Sequence, residues 1–281
     1  MLALPWLYLA LLSIGYVLAL TYGQLGALAA VSVALLLIAG YAVRQQRTPW
    51  ARYVGHGLFI VLALGLAMHW LPGFYNGRGI DPQRFTPDAV PFSMYLNQDK
   101  PLIGFWLLLA CPWIVARRSL RLTICVTALA LSLTAIAALG GALLLGITSW
   151  APKWPEQAWI WVLNNLLLVT LVEEALFRGY IQGGLSRRFK QLPYGENLAL
   201  LLASLLFGLV HVGAGWQWTL LAGVAGVGYG LAYRLGGLGA AVVCYPRKLP
   251  QFRNKSLIQI TFRNFLNNFQ HLPIPPESLA D

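Results

Sequence analysis

Long apolar runs, each about as long as a bilayer is thick, recur along the amino-acid sequence. A hydrocarbon core of roughly 30 Å takes about 20 apolar residues of helix to cross. Such runs lie near residues 4–22, 24–43, 54–72, 102–116, 121–148, 158–181, 198–212 and 217–235. In lipid every backbone polar group has to be paired within the segment, which leaves helices as the natural solution for runs of this length. The expected fold is therefore all-α, a polytopic membrane helix bundle of about eight transmembrane helices. Composition closes off the alternatives. Of 281 residues 58% are hydrophobic and 10% are charged, against roughly 25% charged residues in soluble domains, whose surfaces must be covered with polar groups. A soluble globular protein and a disordered chain are both excluded. Cys111, Cys125 and Cys244 each sit in or beside an apolar stretch, where a thiol serves as a small packing residue rather than half of a disulfide framework. No Lys or Arg precedes the first run and no soluble domain follows it, so a retained first span is expected rather than a cleaved signal peptide.

The net charge of +11 would suggest nucleic acid in a soluble protein, but the basic residues are spread thinly between apolar runs, which points to a membrane surface instead. They form clusters: Arg44, Arg47 and Arg52; Arg117, Arg118 and Arg121; Arg187, Arg188 and Lys190; then Arg234. With the N-terminus cytoplasmic, every cluster falls on the inside, as the positive-inside bias requires. In the long loop 73–101, Arg78, Arg84 and Lys100 balance Asp81, Asp88 and Asp99, which suits the outer face. The proline, asparagine and aromatic residues of that loop, from Pro72 to Asn76 and from Pro91 to Tyr95, are compatible with a surface loop or with an ordered or re-entrant segment. The expected location is an integral protein of the cytoplasmic (inner) membrane, with the lipid bilayer and no nucleic acid as partner.

Three segments are expected: N-terminal transmembrane helices over 1–150, a core over 151–245, and a polar, basic tail over 246–281. The tail breaks the pattern. The small-residue run Gly236 to Cys244 reads as the first half of another span, cut short at Pro246-Arg247-Lys248. Beyond it come prolines, asparagines and basic residues, including Arg253, Lys255 and Arg263.

The sixth run carries the chemistry. It contains Glu173, Glu174 and Arg178, and no other span holds an acidic residue. An ionised side chain at the bilayer centre costs about 2.5–3.5 kcal/mol on insertion scales, so three within six positions have to face protein or water. On a helix Glu174 and Arg178 stand four apart with the acid nearer the N-terminus, the favourable order for an ion pair. Glu173 points about 100° away and has no basic partner on the helix. A carboxylate held out of bulk water is a stronger proton acceptor, the property a general base near neutral pH needs. His211 ends the next run, one turn after Phe207 and on the same face. Beside a glutamate pair a neutral imidazole can help hold the water that a carboxylate deprotonates, although such residues also line pathways in transporters and channels, and a helix end in the headgroup region would account for them as well.

Glu173-Glu174-Ala175-Leu176-Phe177-Arg178-Gly179 followed by Phe207-Gly208-Leu209-Val210-His211 resembles the CAAX-processing and bacteriocin-processing (CPBP) intramembrane endopeptidases, over roughly residues 155–245. The resemblance implies that Glu173 activates water, that His211 helps to bind or orient it, and that Glu174 and Arg178 form an ion pair fixing the motif helix. The substrate it implies is a membrane protein, a lipidated protein or a leader peptide. One histidine and a glutamate pair fall short of three good ligands with an open position, so a glutamate-dependent hydrolase without metal or other cofactor is expected.

A third motif of the family, His-x-x-x-Asn or similar, would stabilise the oxyanion. Here Tyr245 occupies the expected histidine position and Leu249 stands four residues on, while His271 has no asparagine four residues after it. The tail can thus be a frameshifted or truncated product, part of a degenerate non-catalytic member, or part of a divergent enzyme using Tyr245 or His271. Two functions compete with proteolysis: a pseudo-protease acting as an immunity or scaffold protein, and a small transporter with Glu173, Glu174 and Arg178 on its pathway. The paired, interrupted half-repeats usual in transporters are not found in the sequence.

Overall fold

Each of the eight apolar runs contains a helix, and local residues decide where most of them start and stop. The structure, a computed structural model, describes residues 3–84, 92–115, 119–146 and 156–243. Helices α1 (Ala3–Thr21) and α2 (Ala29–Ala42) follow the first two runs. Helix α3 (Pro49–Ala67) starts at residue 49 rather than 54, because the Thr48 hydroxyl accepts from the Ala51 N–H at 3.3 Å and Pro49 fits the first helical position. Helix α4 (Pro101–Ala110) is shorter than its run. Pro112 disfavours helical geometry at Cys111, which sits at φ −125° and ψ 64° before a tight turn over Pro112–Ile114. Ser119 caps α5 (Leu120–Leu144) by accepting from the Leu122 N–H. Then come α6 (Ala158–Arg188), α7 (Gly195–Leu209), α8 (Trp216–Gly236) and α9 (Leu238–Val243).

Among the described residues three helices are long and apolar enough to cross a membrane: Pro49–Ala67, Arg121–Leu144 and Ala158–Arg188. Leu9–Thr21, Ala29–Ala42, Lys100–Ala110 and Gly195–Leu209 are shorter apolar helices. Only 6% of the α5 span is buried inside the protein. Its Ile124, Leu129, Leu133 and Ile136 are exposed, as expected of side chains that have lipid for solvent.

An all-α description fails in one place. Strands β1 (Gly77–Gln83) and β2 (Phe92–Leu96) form an antiparallel pair inside the loop 73–101, with Arg78 opposite Tyr95 and Ile80 opposite Met94. Buried Ile80 and Met94 give the hairpin an inward face, a signal too short to stand out between two apolar runs. Behind it a polar network joins the loops: His69 contacts the buried Asp99, Asn76 Oδ1 accepts from the Gln98 N–H at 2.9 Å, and Gln98 donates to Gln24 at 3.1 Å. The described parts of this loop are therefore ordered.

Two apolar clusters meet on α6. One joins Leu36, Phe59, Leu66, Leu107 and Ile114 to Val172 and Ala175. The other joins Phe177 to Phe207, Ala225 and Tyr229. Helix α8 reaches its neighbours through small residues, as membrane helices do: a Cβ at Gly226 would stand 3.2 Å from Ser204 Cα, and one at Gly230 would stand 2.2 Å from Leu200 Cδ1. Cys111 is buried and Cys125 exposed, both as free thiols. Asp88, Pro91, Arg117, Arg118 and everything from Cys244 onward, including Tyr245, Leu249 and His271, lie outside the described residues.

Candidate active site

Helix α6 is not uniformly α-helical. Two stretches with i→i+5 hydrogen bonding, Asn165–Thr170 and Ala175–Gln182, flank the α-helical turn Leu171–Glu174. Wide turns of this kind are uncommon and are frequent at functional sites.

Just beyond that turn lies the ion pair expected from the sequence. Arg178 Nε donates to Glu174 Oε2 at 3.1 Å, and neither side chain has any solvent exposure. Glu174 Oε1 and both Arg178 Nη groups make no hydrogen bond among the described residues. The guanidinium is instead surrounded by aromatic faces, 4.6 Å from the Phe207 ring centroid, 5.7 Å from Tyr229 and 5.9 Å from Phe177. A desolvated cation over an aromatic face gains about 2 kcal/mol or more, which offsets part of the desolvation that a buried pair has to meet.

The same contact joins the two motifs. Phe207 is 2% exposed, and its backbone carbonyl receives a hydrogen bond of 2.7 Å from His211 Nδ1. The two rings also pack, with centroids 4.8 Å apart. A carbonyl only accepts, so Nδ1 carries the hydrogen of this bond, and Nε2 is the ring nitrogen left to face a water.

Helices α6 and α7 pack together, and the chain reverses direction between them over residues 189–194. Glu174, one turn before Arg178, and His211, one turn after Phe207, consequently lie on the same side of the Arg178–Phe207 contact. Glu173 is half-buried on this same turn, and His211 is half-buried as well. No group of three or more His, Cys, Asp or Glu side chains able to share a metal ion occurs among the described residues.

Two neighbours of the motif were not singled out in the sequence. Gln182, a turn beyond Arg178, is 3% exposed and donates through Nε2 to the Gly230 carbonyl at 3.0 Å. Its only sequence signal is the spacing 174, 178, 182, a polar stripe at helical period. Tyr180 shares a hydrogen bond of 2.9 Å with His56 Nδ1 on α3 and tilts against His56, Phe59 and Trp106. A histidine near the start of the third apolar run was the signal there.

The small-residue run before the missing third motif approaches the site. Ala240 and Ala241 of α9 are fully buried, and Val242 joins the cluster that contains Val172 and Ala175 of α6.

A bundle of apolar helices thus carries a buried glutamate–arginine pair on one helix and a half-buried histidine just after the next. Residues 155–245 match the family model of the type II CAAX prenyl endopeptidases, Rce1-like. The match takes in both motifs and α9, so this part of the chain is similar to the core of those endopeptidases, and the apolar helices mark an integral membrane protein. No curated protein and no solved structure matches the chain.

Proposed function

We propose that the protein is an intramembrane endopeptidase that hydrolyses a peptide bond of a membrane-associated or lipidated protein or of a leader peptide. The observation that carries this reading is the contact series Glu174–Arg178–Phe207–His211, which couples the two motifs within the family-matched region. In this reading Glu173 is the general base. It removes a proton from a water whose oxygen attacks the scissile carbonyl, and it returns the proton to the leaving amine as the tetrahedral intermediate collapses. His211 Nε2 accepts a hydrogen bond from that water and fixes its position. Glu174 and Arg178 hold the helix and do not touch substrate. With the N-terminus cytoplasmic, cleavage takes place in the central or cytoplasmic part of the bilayer.

Co-expression with candidate lipidated or leader-bearing substrates tests the proposal. Fragments should form with the wild type and disappear with Glu173→Gln and with His211→Ala, while both variants stay inserted. Equal cleavage by all three would reject it. A chelator should leave the activity intact, and recovery on added zinc after loss in chelator would overturn the metal-free mechanism.

Tyr245 in place of the third-motif histidine favours a second reading, a pseudo-protease that binds a peptide without cutting it. Removing an oxyanion donor lowers rate by about 10²–10³. In that case the biological function survives Glu173→Gln.

A further inference from the structure

Away from the motif helices, a cavity of about 550 Å³ opens at the end of α2, lined by Tyr41, Arg44, Gln46 and Arg47. Both guanidiniums lie over the same ring within cation–π range: the Arg47 carbon is 3.8 Å from the Tyr41 centroid and the Arg44 carbon 5.3 Å away. A shared aromatic ring attracts both cations and offsets part of their like-charge repulsion.

No acidic partner pairs with either of them among the described residues. The first acidic residue in the sequence is Asp81. The ion pairs His69–Asp99, Arg78–Asp81, Arg178–Glu174 and Arg234–Glu196 do not involve Arg44 or Arg47. Two guanidiniums and an amide donor lining one cavity suit an anion with several acceptor oxygens, such as a phosphate.

We propose that this cavity is a binding site for the phosphate group of an anionic lipid. The shared chemistry would also admit a free phosphate, but the position selects the lipid. The cavity sits where an apolar helix ends, and a few residues further along the chain Trp50 and Tyr53 at the start of α3 are exposed (76% and 61%), as aromatic residues are at the headgroup level.

The test uses the full chain in detergent micelles, with lipid retention followed by native mass spectrometry against phosphatidylglycerol, phosphatidylcholine and inorganic phosphate. One phosphatidylglycerol per chain should be retained and phosphatidylcholine should not. Arg44→Gln and Arg47→Gln should each weaken retention about fivefold, and the double variant about 25-fold, the effect expected for single basic residues near an anionic headgroup. Tyr41→Leu should weaken it with the net charge unchanged. Arg52→Gln, which removes the same charge outside the cavity, should leave it at the wild-type level. Equal weakening by Arg52→Gln, or undiminished retention in the double variant, would overturn the site. Displacement of the lipid by inorganic phosphate would identify a soluble ligand and reject the lipid assignment.

Discussion

The guanidinium of Arg178 lies 4.6 Å from the ring centroid of Phe207, so the first residue of the second motif is the seat of the last charged residue of the first. Arginine and phenylalanine at these positions form one unit: the ring replaces the hydrogen-bond partners that Arg178 Nη1 and Nη2 lack among the described residues. Phe207→Leu keeps most of the apolar volume but removes the face. It should lower the thermal midpoint in detergent more than Leu200→Ile, a volume-conserving change in the same helix that should cost less than about 1.5 kcal/mol. Matching midpoints for the two variants would count against the aromatic seat.

Breaking the buried ion pair from one side should be worse than removing it whole. Arg178→Met strands the Glu174 carboxylate in the interior, at an expected cost of about 3–5 kcal/mol. The double variant Glu174→Leu with Arg178→Met removes both charges and should recover much of that loss. Unfolding in detergent followed by tryptophan fluorescence reads both, and a double variant no more stable than Arg178→Met would contradict the pairing.

Glu173→Gln should behave in the opposite way, as a functional rather than a structural change. The side chain is half-buried beside a fully buried neighbour, so the midpoint should stay close to wild type while cleavage falls by at least about 10², the lower end of the range for a general base. A parallel fall in stability would mean that Glu173 supports the fold instead.

Gly230 and Gln182 should be sensitive together. A methyl at position 230 would lie 2.2 Å from Leu200 Cδ1 and 2.7 Å from Gln182 Oε1, and overpacking of this kind costs about 1–3 kcal/mol. Gln182→Met removes the donor to the Gly230 carbonyl and should cost about 1 kcal/mol. The two effects should be non-additive in a double-mutant cycle, since both alter one contact.

The α3–α6 link offers a milder test. Tyr180→Phe deletes the hydrogen bond with His56 but keeps the ring against Phe59 and Trp106, so about 1 kcal/mol of stability should go. If His56→Ala costs the same in wild type and in Tyr180→Phe, the two side chains do not interact.

Much of this was legible in the sequence, for reasons of length and of cost. Apolar runs about as long as the bilayer is thick can do little else than form helices, so every run contained one. A carboxylate pair and an arginine in such a run have to be paired or functional, which singled out Glu173, Glu174 and Arg178. The Glu174–Arg178 pair was foreseeable because both partners lie on one helix, where a spacing of four fixes their neighbourhood. The helix ends were less legible, because Thr48, Pro49 and Pro112 act through local geometry rather than hydropathy. The hairpin was missed because Ile80 and Met94 give a period-two signal over too few residues.

The sequence by itself thus determined a helical membrane protein and the ion pair on its sixth run. Only the tertiary structure decided that Arg178 rests on Phe207, that His211 turns its Nδ1 to the Phe207 carbonyl and so leaves Nε2 to face a water, that Gln182 closes on Gly230, and that Tyr180 reaches His56. Apart from the local His211–Phe207 bond, these contacts join residues on different helices, and the relative rotation of packed helices is set by small residues such as Gly226 and Gly230 meeting particular neighbours. Periodicity along one helix carries no information about which face of another it will meet.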